Sequence, residues 1–356
     1  MHVLSVVGAR PQFVKAAAFS RACADAGVTE TIIHTGQHYD STLSDVFFQD
    51  LGIPEPWMNL GAGSSSASRQ IADILVGLES ALNKMDHAPD WVVVFGDTNS
   101  TIAAGLAVVK KGFRLAHAEA GLRSFNRAMP EEVNRVMVDR ISNLLFCPNS
   151  TAVENLRAEG ITEGVFEVGD LMLDALRLFA PVARAKYDPA ATSGVKGPYF
   201  LVTLHRAENT DDQARLRSLL DCLSKAPLPL VWPIHPRTRN RISEYGLEIP
   251  GRIALLEPVG YPAMLSLIAH AEMVLTDSGG VQREAYWMER PCITMRNETE
   301  WPETLHGNWN QLVGADAAKF VEAIAKRPVG KPVRPSSDGF AGERMIRVLQ
   351  DTPERR

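Results

Sequence analysis

Several features that mark particular classes of protein are missing from this 356-residue sequence. It has no basic excess, because 37 Lys and Arg face 42 Asp and Glu for a formal charge of −5. No apolar run approaches the roughly 18 residues that a membrane span needs. The apolar N-terminus has no basic leader and is followed at once by Arg10 and Lys15, which indicates a buried strand rather than a signal peptide. We therefore expect neither nucleic acid nor a membrane as a partner.

Cysteines and common nucleotide-binding motifs are also scarce. The four cysteines are far apart and form no C-x-x-C pair: Cys23, Cys147, Cys222 and Cys292. This spacing predicts neither a zinc site nor a disulfide framework, and it favours reduced thiols in a cytoplasmic enzyme. No G-x-G-x-x-G follows a strand, and no G-x-x-x-x-G-K-[ST] occurs. With 45% hydrophobic and 22% charged residues, the composition excludes a disordered chain, a coiled coil and a collagen-like repeat.

The sequence does contain strand-like apolar runs that alternate with helical patterns, in two successive series. The runs of the first series are Val3–Val7, Thr31–Thr35, Trp91–Phe95, Leu115–Ala118 and Leu144–Pro148. Those of the second series are Tyr199–Thr203, Leu228–Pro233, Ile253–Leu256 and Met273–Thr276. Unbroken apolar strands between helices indicate parallel sheets covered on both faces. The predicted fold class is α/β, with two Rossmann-like domains that face each other across a cleft.

The domain boundary is predicted between these two series. We assign residues 1–168 to an N-terminal domain and residues 169–337 to a C-terminal domain. A last helix within 338–356 is expected to pack back on the N-terminal domain. Ala180–Pro198 is rich in Ala, Pro, Gly and Lys and has no strong pattern, so we place the hinge between Val168 and this segment. Ligands bind beyond the carboxyl ends of parallel strands, so candidate site residues should directly follow strands.

Two strand ends in the first series carry charged candidates. After the first strand, Gly8 permits a tight turn into a helix that carries Arg10 and Lys15. A helix N-terminus with two cations suits a diphosphate, although an ordinary turn with surface cations would give the same pattern. Asp97 follows the Trp91–Phe95 run and precedes hydroxyl residues. Its position suits either a helix N-cap or a catalytic carboxylate.

Two further carboxylates belong to the same domain. Glu119 directly follows a buried strand, where a carboxylate needs a partner or a function. Arg123 is its candidate partner if the role is structural. Glu131 lies in the first turn of a predicted helix, where an acidic residue complements the helix dipole. Three acidic groups at one rim, with Asp97 as the third, favour proton transfer, because acid and base roles need carboxylates in differing environments.

The second series carries two histidines after adjacent strands. His205 and Arg206 follow the Tyr199–Thr203 run, and His235 follows the Leu228–Pro233 run. A lone histidine is more often a structural group than a catalyst. Two histidines at adjacent strand ends weaken the structural interpretation without removing it.

The most specific local signal follows the Met273–Thr276 run. Ser278, Gly279 and Gly280 stand between this strand and a helix, an arrangement that forms a phosphate cradle of backbone N–H groups. Glu284 lies one helical turn beyond Gly280 and can accept hydrogen bonds from ribose hydroxyls. A glycine-containing turn with a surface glutamate is the alternative. Arg296 follows the next strand and returns to the cleft.

Eight stretches, in this order, together resemble the non-hydrolysing UDP-N-acetylglucosamine 2-epimerase family. They are GARPQFVK, TGQHYD, GDTNST, HAEAGLRS, PEEVNR, LHRAEN, TDSGGVQRE and RNETEWPE. The resemblance extends over almost the whole chain, from Val3 to Leu349. It implies the glycosyltransferase-B architecture, a homodimer, a UDP-sugar substrate and neither a metal nor a nicotinamide cofactor.

The resemblance also implies roles for individual residues. It assigns catalytic roles to Asp97, Glu119, Glu131 and His205. It assigns UDP contacts to Arg10, Lys15, Ser278, Gly279, Gly280 and Glu284. Further candidates for sugar or diphosphate contacts are Arg206, His235 and Arg296. The implied reaction interconverts UDP-GlcNAc and UDP-ManNAc, or a close UDP-2-acetamido sugar, by elimination of UDP and re-addition with inversion at C2.

Two positions depart from the pattern of many UDP-GlcNAc-specific members. Tyr39 follows the Gln-His pair of the second stretch, and Trp301 stands where many members carry Arg. The ETEW form and the DVFFQDLGIP stretch are closer to the branch that acts on UDP-2,3-diacetamido-2,3-dideoxy-glucuronate. That epimerase is the first alternative. A hydrolysing epimerase, a glycosyltransferase and a catalytically silent UDP-sugar-binding protein are the others.

Overall fold

The computed structural model describes residues 1–37, 51–63, 65–332 and 338–353, without the side chains of Arg10 and Pro11. Two sequence expectations therefore lie outside the described residues: the UDP contact of the Arg10 side chain and the position of Tyr39. The chain divides into two units. The first unit comprises Met1–Leu178 and Pro335–Arg356, and the second unit comprises Phe179–Arg334.

Each unit contains a parallel sheet. The strands of the first unit are β1 (His2–Val7), β2 (Thr29–His34), β3 (Met58–Asn59), β4 (Trp91–Phe95), β5 (Leu115–Ala118), β6 (Leu144–Cys147) and β7 (Val165–Glu167). Those of the second unit are β8 (Phe200–Thr203), β9 (Leu230–Pro233), β10 (Ile253–Leu256), β11 (Met273–Thr276), β12 (Cys292–Thr294) and β13 (Asn310–Leu312). The strand orders are β3-β2-β1-β4-β5-β6-β7 and β10-β9-β8-β11-β12-β13. In both sheets, the chain first adds strands on one side of the first strand of the unit and then on the other side, as in Rossmann folds. This topology confirms the prediction of two Rossmann-like α/β domains.

Helices alternate with these strands. In the first unit they are α1 (Arg10–Asp25), α2 (Ala67–Leu82), α3 (Asn99–Lys110), α4 (Pro130–Ile141) and α5 (Ser150–Ala158). The next helix, α6 (Leu171–Lys186), runs from the first unit into the second. It is followed by α7 (Pro189–Ser193), α8 (Ala207–Thr210), α9 (Gln213–Ser224), α10 (Pro236–Glu244), α11 (Tyr261–His270), α12 (Gly279–Trp287), a 3₁₀ helix (Pro302–Asn308) and α13 (Ala317–Ala325). The last helix, α14 (Ala341–Asp351), contacts α1 of the first unit. Within the described part of the chain, every helix is too short or too polar to cross a membrane.

Burial explains why these runs form central strands. All five residues of β4 are buried, and β4 pairs with β1 on one side and β5 on the other. Three successive valines suit a pleated surface that is covered on both faces. The turn from β1 into α1 requires Gly8, because a Cβ there would overlap the hydroxyl oxygens of Thr35 and Ser100. Parallel pairing therefore brings the carboxyl ends of β1, β4 and β5 to one edge of the sheet.

Helix α6 corrects an interpretation made from the sequence. The segment Ala180–Pro198, which shows no strong pattern, is partly helical, because α6 continues through Pro181 to Lys186 and α7 follows. Proline inside a helix removes one backbone hydrogen bond. Phe179 and Ala183 are nevertheless buried, and the Phe179 ring packs edge-on against Tyr261 at 5.8 Å between centroids. Tertiary packing thus outweighs the helix-breaking tendency of proline.

Asp174 of α6 holds the N-terminus of α14. Its carboxylate accepts hydrogen bonds from the backbone N–H of Ala341 at 3.0 Å and of Gly342 at 2.8 Å. Burial raises the pKa of Asp174 to about 6, aided by Asp170 and opposed by the two backbone hydrogen bonds and Arg177. Because this pKa exceeds the usual 3.8, the folded protein binds a proton at Asp174 at a higher pH than the unfolded chain does. The contribution of this group to stability therefore increases as the pH falls from about 6 towards 4.

We predict that Asp174→Asn removes this pH dependence. The gap between the two pKa values corresponds to about 3 kcal/mol. The free energy of unfolding of the wild type, minus that of the variant, should rise by about 2.5 kcal/mol between pH 7 and pH 4 in urea titrations, because the unfolded carboxyl group is already partly protonated at pH 4. Subtracting the value of the variant from that of the wild type removes the contribution of the other carboxylates to the pH dependence. A difference that stays constant or falls on acidification would contradict the expectation.

Candidate functional site

Glu119 has a strained backbone at the carboxyl end of β5. Its φ of 73° lies in the left-handed region, which costs a non-glycine residue about 1–2 kcal/mol. The backbone N–H groups of Glu119 and Ala120 both donate to the carbonyl of Phe146, at 3.1 and 3.0 Å. Such strain concentrates at functional sites, where the surroundings hold it in place. The local geometry thus supports the functional interpretation of Glu119.

The partner of Glu119 is Lys15. The Lys15 ammonium group from α1 forms an ion pair with Glu119 Oε2, and both side chains are largely buried. Arg123, the partner considered from the sequence, pairs instead with Asp139 and Glu159, so that interpretation was wrong. Lys15, Glu119 and Val168 also line a small pocket of the first unit. A cation and a carboxylate therefore share one partly enclosed position.

Asp97 lies on the neighbouring strand end, after β4. Its Oδ2 accepts a hydrogen bond from Nη2 of Arg135 at 2.5 Å. The N-cap of α3 is Thr98, without a side-chain capping bond, so the capping alternative for Asp97 was wrong. A Cβ added to Gly96 would lie 3.2 Å from Glu119 Oε2 and 3.4 Å from Lys15 Nζ. The loop that carries Asp97 thus lies directly against the Lys15–Glu119 pair.

Glu131 and Glu132 differ sharply within the first turn of α4. Glu132 is buried and accepts hydrogen bonds from Ser124, Phe125 and Arg135. Burial alone would raise the pKa of Glu132, but these bonds outweigh it and lower that pKa. Glu132 therefore organises the loop before α4. Glu131 is half-buried and lies one helical turn before Arg135, on the same face of α4.

In the second unit, Asp277 binds the segment that carries His205. Asp277 follows β11, and its side chain is fully buried. It accepts hydrogen bonds from the backbone N–H of His205 at 3.0 Å and of Arg206 at 3.0 Å, and from Nδ2 of Asn209 at 3.0 Å. His205 Nδ1 lies 3.1 Å from Asp277 Oδ1. Burial opposes ionisation of Asp277, but His205 and these hydrogen bonds outweigh it and lower the pKa.

The histidines of the two strand ends are neighbours. The rings of His205 and His235 lie 5.8 Å apart between centroids. His235 is the N-cap of α10, where Nδ1 accepts from the N–H of Arg237 at 3.2 Å. The imidazole of His205 is 39% exposed, so its outer edge can reach a ligand. The second unit thus brings two histidines together at the carboxyl ends of β8 and β9.

The glycine turn after β11 has the form that the sequence predicts. Ser278 is the N-cap of α12, with Gly279 and Gly280 in the first turn. A Cβ on Gly279 would lie 3.3 Å from Trp301 Nε1, so the indole lies against the helix N-terminus. Glu284 is buried one turn further along α12. Backbone N–H groups at such a helix start suit an anionic phosphate.

Two arginines near this turn have different surroundings. Arg296 is buried and donates to Glu208 at 2.9 Å and to Glu300 at 3.0 Å. Burial would lower the pKa of Arg296, but the two carboxylates outweigh it and raise that pKa. Nε of Arg206 is buried and has no hydrogen-bond partner among the described residues. Arg206 is therefore the better placed of the two to bind an added anion.

Sequence reasoning missed several partners of the predicted site residues. Arg135, Asp277 and Glu300 all stand inside the quoted stretches, but their roles depend on contacts between distant segments. Arg135 reaches Asp97 across 38 positions, and Asp277 reaches His205 across 72. Only the position of Asp277 directly after a buried strand could have signalled such a role.

We predict that Asp277→Asn lowers the free energy of unfolding by about 3 kcal/mol, because one amide oxygen cannot accept all the donors that face the carboxylate. Urea unfolding followed by fluorescence would measure the loss. Asp212→Asn is a matched control: Asp212 is the exposed N-cap of α9, where Asn caps equally well and the change should stay within about 0.5 kcal/mol. Equal effects of the two substitutions would contradict the structural role of Asp277.

Comparisons with known proteins agree with this arrangement. Residues 21–350 match the family model described as UDP-N-acetylglucosamine 2-epimerase. A protein of Methanococcus maripaludis called "UDP-N-acetylglucosamine 2-epimerase homolog" is 46% identical over 92% of each chain. The UDP-2,3-diacetamido-2,3-dideoxy-D-glucuronate 2-epimerase of Pseudomonas aeruginosa is 42% identical over 96% of each. The crystal structure of Methanocaldococcus jannaschii UDP-GlcNAc 2-epimerase in complex with UDP-GlcNAc and UDP is 40% identical, covers 98% of this chain and 99% of its own, and superimposes with a TM-score of 0.92.

With its two Rossmann-like units, its strained and ion-paired glutamate and these matches over nearly its whole length, the chain belongs to the UDP-N-acetylglucosamine 2-epimerase family.

Proposed function

We propose that this protein is a non-hydrolysing UDP-sugar 2-epimerase that interconverts UDP-GlcNAc and UDP-ManNAc. The observation that carries the proposal is the backbone of Glu119, held at a φ of 73° with its carboxylate against Lys15 and beside the Asp97 loop. A strained, largely buried carboxylate beside the loop that carries a second carboxylate suits proton transfer. Membership of the family supports the same reaction.

The reaction needs groups of these kinds. The C2 hydrogen of a 2-acetamido sugar is not next to a carbonyl, so direct deprotonation is very hard. Cleavage of the C1–O bond lets UDP leave with the bonding electrons, which makes C1 electron-poor and acidifies the C2 hydrogen. A base then removes that proton and leaves a 2-acetamidoglucal. UDP adds back to C1, and a proton is delivered to the opposite face of C2.

The residues divide between these tasks. Asp97, Glu119 and Glu131 of the first unit are proposed to transfer protons at C2. The ammonium group of Lys15 lies against the Glu119 carboxylate. His205 is proposed to act at the leaving diphosphate. Proposed UDP contacts are Arg10, Lys15, Ser278, Gly279, Gly280 and Glu284, with Arg206, His235 and Arg296 as further sugar or diphosphate contacts.

The same set of candidate residues argues against the alternative functions. A glycosyltransferase needs mainly groups that bind the leaving diphosphate and often one base, whereas three carboxylates follow strand ends or open a helix in the first unit. A catalytically silent binding protein would have no use for the backbone strain at Glu119. A hydrolysing epimerase would need water at C1 during the reaction.

A second candidate substrate has support of its own. The relative from Pseudomonas aeruginosa, 42% identical over 96% of each chain, is a UDP-2,3-diacetamido-2,3-dideoxy-D-glucuronate 2-epimerase. Trp301, where many UDP-GlcNAc-specific members carry Arg, packs on the guanidinium of Arg283, 3.7 Å from the ring centroid. Trp301 also lies against Gly279. This local difference makes the diacetamido uronate the alternative substrate.

The proposal includes a homodimer in the cytoplasm. The homodimer rests on the resemblance to the family. The four cysteines are free and buried, which supports the reducing compartment expected from their spacing.

We predict that incubation with UDP-GlcNAc in deuterated water, without added metal, places deuterium at C2 of a UDP-linked product. Mass spectrometry and proton NMR would detect it, and a parallel incubation with the diacetamido uronate decides the preferred sugar by the ratio of kcat/KM. Free sugar as the product would indicate hydrolysis. Absence of exchange with both sugars would overturn the epimerase proposal.

We predict that Glu119→Gln lowers kcat about 100-fold or more, because the amide cannot take up a proton, while UDP affinity changes little. Steady-state kinetics and calorimetric titration of UDP would measure the two quantities. Glu30→Gln is the matched control: Glu30 lies on β2 of the same unit, and burial raises its pKa despite a hydrogen bond from Ser5. Near-normal turnover of Glu119→Gln would reduce Glu119 to a structural role.

A further inference from the structure

His117 of β5 is a fully buried imidazole with a partner at each ring nitrogen. Nδ1 lies 2.7 Å from Asp139 Oδ1, and Nε2 lies 2.7 Å from the backbone carbonyl oxygen of Gly96. The side chains of His117 and Asp139 have no exposed surface. The proposed reaction assigns no role to either residue.

The partners fix where the protons lie. A carbonyl oxygen only accepts hydrogen bonds, so Nε2 of His117 carries a proton that it donates to Gly96. Asp139 Oδ2 accepts from the N–H of Gly121 at 3.1 Å and from Nη1 of Arg123 at 2.8 Å. Burial would raise the pKa of Asp139, but the bonds from His117 and Arg123 outweigh it and lower that pKa. One proton therefore lies between Nδ1 of His117 and Oδ1 of Asp139.

Every member of this cluster has a hydrogen-bond partner. His117 Nδ1 shares a proton with Asp139, and Arg123 bridges Asp139 to Glu159 with bonds of 2.8 and 2.6 Å. The buried Asp139 carboxyl group is therefore hydrogen-bonded at both oxygens. Buried charges persist only when they are paired and hydrogen-bonded in this way.

His117 and Asp139 form hydrogen bonds to the two loops that carry the proposed catalytic carboxylates. The carbonyl held by His117 belongs to Gly96, the residue directly before Asp97. Gly96 also donates its N–H to Ala118 at 2.9 Å. Asp139 binds the N–H of Gly121, two residues after Glu119. The hydrogen bonds therefore attach the end of β4 and both sides of Glu119 to the same imidazole–carboxylate pair.

We propose that His117 and Asp139 are positioning residues that hold the Asp97 and Glu119 loops at a fixed separation for proton transfer. The proposal deepens the epimerase function and rests on it for its catalytic consequence. Neither residue touches the reacting atoms. Small displacements of catalytic groups lower the rate much more than they lower binding, so the effect should appear in kcat.

The protonation state is tested without any substrate. Protein labelled with ¹⁵N-histidine has nine histidines, and the His117 signals are assigned by their loss in His117→Gln. We expect an N–H correlation from Nε2 of His117, the ring nitrogen that faces the Gly96 carbonyl oxygen. An unprotonated Nε2 would overturn the assigned hydrogen bond to Gly96. This measurement stands whether or not the protein epimerises either UDP-sugar.

The positioning role is tested with two partial mimics. His117→Asn keeps a donor near Nδ1 for Asp139 and loses the Gly96 bond, whereas His117→Gln keeps a donor near Nε2 for Gly96 and loses the Asp139 bond. We expect each variant to lower kcat about 10- to 100-fold, with KM and UDP affinity within about threefold of the wild type.

His34→Asn is the matched control. His34 is a buried imidazole that ends β2 of the same sheet and accepts a hydrogen bond from the N–H of Gly36. We expect it to lower the melting temperature while leaving kcat within about twofold. Wild-type kcat in both His117 variants, or equal losses of kcat in His34→Asn, would overturn the positioning role. If the wild type shows no C2 exchange with either sugar, the proposed function fails, and the NMR measurement still decides whether Nε2 of His117 donates to Gly96.

Discussion

The first unit is arranged around the compensation of buried carboxylates at the ends of parallel strands. Glu119 is largely buried and forms an ion pair with Lys15 of α1, the helix that follows β1, two strands away from β5 in the sheet. Asp139 is fully buried and is compensated by His117 and Arg123. Because a buried ionised group is costly unless it is paired and hydrogen-bonded, each pairing also fixes the loop that carries its partner. The strained backbone of Glu119 persists inside this set of bonds.

The second unit uses the same physical device with different residues. Asp277 is buried after β11, and its carboxylate binds the backbone of His205 and Arg206 after β8. Two adjacent strand ends are thereby tied together by one acceptor, which leaves the outer edge of the His205 imidazole exposed. In both units, a carboxylate that is shielded from solvent forms hydrogen bonds to the segment that carries the more exposed candidate residues. The exposed side chains are thereby held in place although they are not buried themselves.

Particular residues show how far sequence reasoning reached. The runs Trp91–Phe95, Leu115–Ala118, Ile253–Leu256 and Met273–Thr276 coincide with observed strands, because short apolar runs with abrupt polar ends leave little freedom in the boundaries. The composition of Ala180–Pro198 did not indicate that this segment is partly helical. Helix α6 continues through Pro181 because Phe179 and Ala183 are packed in the interior. The capping interpretation of Asp97 and the pairing of Glu119 with Arg123 were wrong, because Arg135 and Lys15 arrive from distant segments.

The sequence by itself determined the α/β class, the carboxyl ends of nine of the thirteen described strands to within one residue, and the family, since these follow from local hydrophobic pattern and from motifs that are contiguous in the chain. Only the tertiary structure decided which charged groups meet. Lys15 and Glu119 are separated by 104 positions, and His117 and Asp139 by 22. Their pairing depends on the parallel register that brings β1, β4 and β5 together at one sheet edge. The pairing of a buried charge is a property of that geometry, which no local pattern encodes.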